Sequence, residues 1–366
     1  MNYWVIITLA LTLLIVPRIG LKVFKKIGII EHKKRADYYK RLPVPNAQGI
    51  ALRITLLICI AVLWWRFLDN TYTLIYIGAW TLLAILSTID LFKPIPSWIR
   101  LLLQLLLFAA IVIYWWISID TVRIIGNDLP IQSRIGIVWS IIWFVLCTNA
   151  VNRFDGIQWQ SSWVTSVWAF AIWAVVSFIV FPSYEHLTPE ILNQLQITKI
   201  IALSLWLVSL VYTYIEYKPL WLIRDIWTTI YGFSLAYLAL LWWAKVGILV
   251  VTLSLVMFDA VWVTINRIFV LKKNPFKGDY THLHHRLIAN GRSRSEIRRF
   301  VWIRSFVMTI LMILQWTSSI NKRIILIMMA LLFFGVNIYL FWIKKLPTEM
   351  KVNFSTDEVE DLKMEI

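Results

Sequence analysis

Residues 97–118 read SWIRLLLQLLLFAAIVIYWWIS, an apolar run that is long enough to cross a bilayer as a helix. Comparable runs recur along the chain and predict about eleven membrane helices. They lie at roughly 3–17, 48–68, 71–90, 97–118, 134–151, 161–182, 197–216, 225–243, 246–266, 300–317 and 323–343. The predicted fold is therefore all-α and polytopic, with a single transmembrane helical domain at 1–345 and a polar cytoplasmic tail at 346–366.

The composition also indicates that lipid surrounds most of the chain. Hydrophobic residues make up 60% of the 366 residues and charged residues 15%, whereas soluble domains are about 45–50% apolar and about 25% charged. A net charge of +16 would suggest nucleic acid as a partner of a soluble protein. In a membrane protein, basic residues instead accumulate in cytoplasmic loops and at lipid headgroups. We therefore expect membrane lipid, and no nucleic acid, as a partner.

Basic residues are concentrated in two connections, 18–47 and 267–299. We expect the protein to lie in the inner or plasma membrane. The positive-inside rule then places its N-terminus outside and its C-terminus in the cytoplasm. The same orientation makes five loops cytoplasmic, at 18–47, 91–97, 152–160, 217–225 and 267–299. Most of the polar side chains that could bind a ligand or take part in catalysis fall in or beside these loops. We therefore expect them to share one pocket at the cytoplasmic face.

The segment 148–158, TNAVNRFDGIQ, supplies two asparagines and one aspartate at short spacing, Asn149, Asn152 and Asp155. Their hard oxygen atoms suit Mg²⁺, which binds one or two carboxylates together with substrate phosphates. The alternative is an ordinary turn capped by Asn and Asp side chains. Asp90 and Asp225 pose the same choice, since each stands at the end of an apolar run.

Residues 275–291, PFKGDYTHLHHRLIANG, are the richest in reactive side chains. Three of the chain's five histidines lie here beside an acid and a base: His282, His284, His285, Asp279 and Arg286. Zinc is an alternative ligand, but cysteines are absent from the segment and the spacing is not that of a metalloprotease helix. Imidazoles flanked by Lys and Arg suit a nucleotide diphosphate better.

The stretch PFKGDYTHLHHRL resembles the His-rich cytoplasmic loop of the polyprenyl-phosphate N-acetylhexosamine-1-phosphate transferases, glycosyltransferase family 4. MFDAVWVTINR, at 257–267, is similar to the helix that precedes this loop in the family. LPVPNAQGIAL resembles the family's Pro-x-Pro turn, TNAVNRFDGI its Asn-Ala-x-Asn-x-x-Asp-Gly loop, and Asp225 the acid of its Gly-Asp-x-Gly motif. The order of the motifs agrees over about 30–290.

The resemblance implies Mg²⁺-dependent transfer of an N-acetylhexosamine-1-phosphate, with GlcNAc-1-phosphate preferred, from a UDP-sugar to undecaprenyl phosphate. UMP would be released and a cell-envelope glycan begun, with Mn²⁺ as an alternative ion. By the same resemblance the catalytic residues are Asp90, Asp155 and His284, and the metal ligands are Asp225 and Asn152. The substrate contacts are Asn149, Asn152, Arg267, Asp279, His282, His285 and Arg286. The oligomeric state is left open, a homodimer being one alternative.

The sequence departs from the family's motifs at several acids and glycines. Leu91, Pro94 and Gln158 stand where carboxylates are expected, so a descendant that binds the substrates without turnover is the alternative function. A transporter is a third alternative, but transporters place ionisable groups near the bilayer midplane and not at one surface.

Tryptophan is abundant, with 22 residues against 12 glycines, and Trp159, Trp163 and Trp227 stand where the family has glycine. One hypothesis is that the gene encodes glycine by UGA at these positions and that UGA has been translated as tryptophan. The alternative is an aromatic-rich membrane protein with tryptophans at its lipid interfaces. The codons at the three positions decide between the two.

Overall fold

A computed structural model describes most of the apolar segments of the chain. The described residues are 3–27, 48–64, 69–93, 95–115, 117–119, 121–124, 127–155, 160–180, 188–215, 225–241, 254–272, 281–317, 324–325, 327–332 and 334–335. The division at 345 and the polar tail at 346–366 lie outside them and stay predictions.

The described residues form a series of helices and one hairpin, taken here in chain order. The helices are α1 (Tyr3–Ile27), α2 (Gln48–Leu63), α3 (Thr71–Phe92), α4 (Ser97–Trp115), α5 (Ser133–Phe154), α6 (Gln160–Val175), α7 (Pro189–Ile215), α8 (Asp225–Leu241), α9 (Ser254–Ile265), α10 (Leu283–Ala289) and α11 (Arg294–Thr317). Two of them continue as short π-helices, α6 into Val176–Val180 and α9 into Asn266–Val270. The hairpin, between α4 and α5, consists of β1 (Thr121–Ile124) and β2 (Asn127–Pro130).

Five helical segments in the described part are long and apolar enough to cross a membrane. They are Thr71–Asp90, Ser97–Trp115, Ser133–Phe154, Gln160–Val180 and Pro189–Ile215, and shorter apolar helical stretches lie at Trp4–Gly20, Ile50–Leu63 and Thr228–Leu241. The protein is therefore a polytopic, helical membrane protein, as predicted. The total of about eleven spans and the inside–outside orientation stay predictions.

The hairpin was not predicted, and the all-α description is wrong for this short segment. Its strands pair antiparallel with Thr121 opposite Pro130 and Ile124 opposite Asn127. The sequence TVRIIGNDLP carries the signal, because β-branched residues flank a Gly-Asn pair, which favours a tight turn between strands. Strands of four residues are too short to form a long apolar run, which is why hydropathy does not indicate them.

Several helical segments differ from the prediction, and α11, for example, begins at Arg294 and not at 300. Helix α1 continues to Ile27, ten residues beyond the predicted end at 17, because Lys and Arg end an apolar run without ending a helix. Helix α7 begins at Pro189, where proline suits the first helical position and Glu190 the positive end of the helix dipole. Helix α10 lies inside the predicted loop 267–299.

Helix α8 lies at the centre of the bundle. It packs against α3, α5, α6 and α7, and every residue from Thr228 to Leu241 is buried. At Gly232 the backbones of α8 and α5 approach so closely that an added Cβ would lie 2.5 Å from the Cys147 carbonyl oxygen. Small residues allow such contacts between membrane helices, where the hydrophobic effect drives association little.

Gly232→Ala is expected to destabilise the folded protein in detergent by about 1–3 kcal/mol, since α5 and α8 must separate to admit the methyl group. The measurement is the midpoint of thermal or SDS-induced unfolding. Gly78→Ala is the matched control, because Gly78 is exposed on α3 and an added Cβ there meets nothing within 4 Å. Equal stability of the two variants would show that the α5–α8 contact tolerates a wider spacing.

Candidate active site

The last turn of α5 touches the first turn of α8 through Asn152. The Asn152 Nδ2 donates to the Thr228 Oγ1 at 2.8 Å and lies 3.4 Å from the Thr229 Oγ1. Thr228 is three residues after Asp225, the first residue of α8, whose side chain lies outside the described part. The structure therefore brings together the end of α5 and the start of α8, the two helix ends that border the predicted loops 152–160 and 217–225.

Asp155 ends α5 and faces the first turn of α6. Its Oδ1 accepts a hydrogen bond of 2.6 Å from the hydroxyl of Ser161, which is buried. Asp155 thus follows Asn152 by three residues, beside the helix end that meets α8. The rest of the predicted loop, 156–159, lies outside the described residues.

Asn149 contacts a different neighbour from Asn152. Its Nδ2 donates to the Gln104 Oε1 on α4 at 2.8 Å and to the Val145 carbonyl at 2.9 Å. The amide therefore ties α5 to α4, a structural role that accounts for a polar residue here. The substrate contact predicted for Asn149 is not tested by this arrangement and stays a prediction.

Asp90 lies in the last turn of α3 and holds the short connection to α4. Its Oδ2 pairs with the Arg100 Nη1 at 2.7 Å, and its Oδ1 accepts from the Ile95 backbone N–H at 2.7 Å. Both carboxylate oxygens thus have protein partners, and one of those partners is a guanidinium on a partly exposed side chain. The predicted catalytic role of Asp90 stays a prediction, and the structural role is evident.

A second cluster joins α9 to α10 around Asp259, which is 3% exposed. The Asp259 Oδ2 lies 2.9 Å from the His282 Nδ1, and its Oδ1 accepts from the Leu283 backbone N–H at 2.8 Å. The Arg286 Nη2 lies 3.5 Å from the same Oδ1. One carboxylate thus holds the first turn of α10 against α9 and contacts two of the predicted substrate-binding residues.

Arg286 and Arg267 are both buried at this junction. The Arg286 guanidinium lies over the Trp262 ring, 3.9 Å from its centroid, a cation–π contact that adds to its pairing with Asp259. The Arg267 Nη2 donates to the Thr281 Oγ1 at 3.2 Å. The two buried guanidiniums outnumber the one buried carboxylate at this junction, that of Asp259, and the excess of positive charge favours an anionic ligand.

His284 lies between two other imidazoles and is buried. Its ring centroid is 4.0 Å from that of His285 and 6.1 Å from that of His282. Burial holds the pKa of His284 well below its usual range, and the neighbouring His285, His282, Arg294 and Arg286 lower it further. The His284 Nδ1 is buried and has no hydrogen-bond partner among the described residues.

Residue 259 and its neighbour Trp262 were not among the predicted site residues. Asp259 stands alone among apolar residues in LVMFDAVWV, and an ionisable residue inside a membrane helix is a functional candidate by default. That signal identifies Asp259 from the sequence alone. The contact of Trp262 with Arg286 could not be predicted, because it depends on how α10 packs against α9. Asp279, which was predicted, lies outside the described residues.

The structure therefore forms two groups from the predicted residues, Asn152 and Asp155 beside the start of α8, and His282, His284, His285, Arg267 and Arg286 around the α9–α10 junction. Helix α5 packs against both α8 and α9, so the helices that carry the two groups are neighbours. Within the described residues, no three His, Cys, Asp or Glu side chains are arranged around a single metal position. A shared pocket stays a prediction.

The described helices define a multi-pass membrane protein with polar and charged side chains near the ends of α3 and α5 and at the α9–α10 junction. Residues 72–243, from α3 through α8, match the model of a known family, Glycosyl transferase family 4. The chain is also 23% identical over 344 residues to the probable undecaprenyl-phosphate N-acetylglucosaminyl 1-phosphate transferase of Bacillus subtilis (strain 168). That alignment covers 89% of this chain and 88% of the Bacillus protein.

The match of residues 72–243 to glycosyl transferase family 4 and the similarity to the Bacillus protein along most of the chain indicate an enzyme of the transferase class. The resemblance stated from the sequence is thus confirmed. The family match contains Asp90, Asn152, Asp155 and Asp225 but ends before His282, His284 and His285.

The low pKa of His284 predicts a loss of stability in acid. The unfolded chain binds a proton at this residue below about pH 6.5, whereas the folded protein resists it, so stability falls as the pH drops below that value. The loss is up to about 1.4 kcal/mol per pH unit. Thermal unfolding midpoints at pH 7.5 and 5.5 measure it.

His284→Gln should make the acid-induced drop in the unfolding midpoint smaller. His186→Gln is the control, since His186 stands apart from the cluster in the sequence. If the His284→Gln protein loses as much stability in acid as the unsubstituted protein does, His284 is not held neutral by the fold.

Proposed function

We propose that the protein transfers an N-acetylhexosamine-1-phosphate, with GlcNAc-1-phosphate preferred, from a UDP-sugar to undecaprenyl phosphate at the cytoplasmic face of the cell membrane. A lipid phosphate oxygen attacks the sugar-bound phosphorus of the UDP-sugar, a new P–O–P bond forms, and UMP leaves with the electrons of the broken bond. The observation that carries the proposal is the contact of Asn152 with Thr228, which sets oxygen ligands beside the start of α8. The name of the Bacillus relative supports the same reaction.

The nucleotide diphosphate would bind at the α9–α10 junction. Arg267 and Arg286 are buried there, where a guanidinium interacts with phosphate more strongly than in water. Exchange of one phosphoanhydride for another needs little covalent assistance from the protein. The contribution of these side chains is therefore to fix the pyrophosphate and to stabilise negative charge on the departing phosphate.

A magnesium ion fits the α5–α8 end of the site. Asn152 and Asp155 lie three residues apart where α5 ends, and Asn152 contacts the helix that starts at Asp225, so oxygen donors of the preferred kind come from two adjacent helix ends. Asp225 and Asn152 would hold the ion, with Asp155 beside them. When bound, Mg²⁺ supplies positive charge that offsets the charge of the pyrophosphate.

The lipid phosphate would bind near Asp90 and Arg100. Because Asp90 already accepts from Arg100 and from the Ile95 backbone, its role there is to hold the Arg100 guanidinium in place as well as to orient the phosphate. A monoester phosphate is already about −1.5 to −2 in charge at neutral pH, so placement matters more than removal of a proton.

The second candidate is a protein that binds these substrates without turnover. It is favoured by Leu91, Pro94 and Gln158, which replace carboxylates of the family's motifs. The test uses membranes with radiolabelled UDP-GlcNAc, Mg²⁺ and undecaprenyl phosphate, and looks for lipid-linked sugar and UMP. Turnover with this or another UDP-N-acetylhexosamine supports the transferase, and binding of UDP-sugar with no product from any of them supports the second candidate.

Asp225→Ala is expected to abolish product formation, since a principal ligand of the ion is removed. The rate of lipid-linked sugar formation at saturating Mg²⁺ measures the effect. Glu190→Gln is the control, because Glu190 contacts the Tyr72 hydroxyl at the opposite end of α3 from Asp90. Full activity of the Asp225→Ala protein would refute the metal role of this residue.

A further inference from the structure

We infer that Asp259 is a positioning residue which fixes the proton of His282 on Nδ1 and so directs the Nε2 of His282, and not His284, to a phosphate of the nucleotide. The inference rests on the proposed function and deepens it, since it assigns the histidine that contacts the anionic substrate. It also changes the predicted roles, because His284 was the histidine expected to be catalytic.

The tautomer of His282 follows from its contact with Asp259. A carboxylate oxygen only accepts hydrogen bonds, so at 2.9 Å from the Asp259 Oδ2 the His282 Nδ1 must carry the proton. The same carboxylate accepts from the Leu283 backbone N–H, which fixes its position relative to the start of α10. The His282 ring and the Leu283 backbone are thus both bonded to one residue of α9.

The second nitrogen of His282 is available to a ligand. Its Nε2 has no hydrogen-bond partner among the described residues. When the ring takes up a second proton as phosphate binds, its Nε2–H donates a charge-assisted bond to a phosphate oxygen. The proton comes from solvent on binding and returns to it on release, so that the ring acts as a donor and is not consumed.

His284 is in the opposite situation. It contacts two imidazoles and has no carboxylate partner in the part of the chain that the structure describes, and its Nδ1 is buried without a hydrogen bond there. Positive charge at His284 would add to that of Arg286 and Arg294. A neutral His284 fits the packing of α10, whereas His282 has a carboxylate on one ring nitrogen and can offer the other to an anionic ligand.

Arg286 extends the same arrangement. It lies one turn after His282 on α10, near Asp259 and over the Trp262 ring. Asp259 and Trp262 are three residues apart on α9, so one face of that helix holds both His282, which precedes α10, and Arg286. Asp259 therefore sets the spacing of two phosphate donors from a single position.

The first test is nitrogen NMR of the full-length protein with ¹⁵N-labelled histidine in detergent or nanodiscs. His282→Gln identifies the signals of His282 among the five histidines. The spectrum should show a proton on the Nδ1 of His282, and added UDP should bring a second proton to Nε2. A His282 ring with its proton on Nε2 before UDP is added would overturn the inference.

The second test compares UDP affinity in Asp259→Asn, His282→Gln and the double variant. Each single change should weaken UDP binding by about 10- to 100-fold, the loss typical of a charged hydrogen bond or its orienting partner. The double variant should bind no more weakly than His282→Gln, because Asp259 acts through His282. Glu190→Gln should bind UDP as tightly as the unsubstituted protein does.

Additive losses in the double variant would show that Asp259 acts separately from His282, which overturns the inference even if sugar transfer is intact. Conversely, a protein that makes no lipid-linked sugar but shows the predicted tautomer and the coupled losses in UDP binding would refute the proposed function and retain the inference. Should Asp259→Asn fail to fold, the NMR spectrum of the unsubstituted protein decides.

Discussion

The backbone contact between α5 and α8 at Gly232 determines much of the geometry described above. Gly232 contacts Cys147. About one turn further, toward the C-terminus of α5 and the N-terminus of α8, Thr228 contacts Asn152. The spacing of the two helices at the first contact therefore sets whether the second can form. In a bilayer this spacing depends on small residues and packing, since lipid is as apolar as the side chains that it replaces. A structural glycine thus controls the position of a proposed metal ligand.

The other constraint is the burial of charge at the α9–α10 junction. Asp259, Arg267 and Arg286 are all buried, and an unpaired charge in such surroundings costs several kcal/mol. Asp259 offsets part of this cost, because its oxygens meet a backbone N–H, an imidazole and a guanidinium. A nucleotide diphosphate bound at the junction would bring further negative charge to the same guanidiniums. Binding of the substrate and stability of the junction are therefore linked.

Most of the architecture could be predicted from the sequence, because apolar runs of membrane length are rare in proteins that do not cross a bilayer. The segment 133–154, for example, is a single helix within a few residues of its predicted bounds of 134–151. The elements that were not predicted are those that hydropathy does not encode, namely the hairpin at 121–130 and the π-helices. Helix α10 was not predicted because its short, polar sequence resembles a loop, and its first turn is held by Asp259 of the preceding helix, α9.

The candidate site could be predicted in part. Sequence placed Asn152, Asp155 and Asp225 at one membrane face, and the structure joins Asn152 to the helix of Asp225. The sequence could not show that Asn149 is hydrogen-bonded to Gln104, or Asp90 to Arg100, because both partners lie on another helix. The sequence motif also led to His284 as the predicted catalytic histidine, whereas the roles proposed above depend on which imidazole contacts a carboxylate.

The change of α9 from α- to π-helical winding at Asn266 has an evolutionary consequence. Arg267 is buried within this wider turn and reaches Thr281, while Phe269, two residues later, is 73% exposed. Removal of one residue before Arg267 would rotate it by roughly 100° about the helix axis and direct it elsewhere. Relatives can therefore exchange side chains freely at exposed positions such as Phe269, but insertions and deletions between Asp259 and Arg267 should be rare. Divergence in this part of the chain is therefore expected to occur by substitution and not by insertion or deletion.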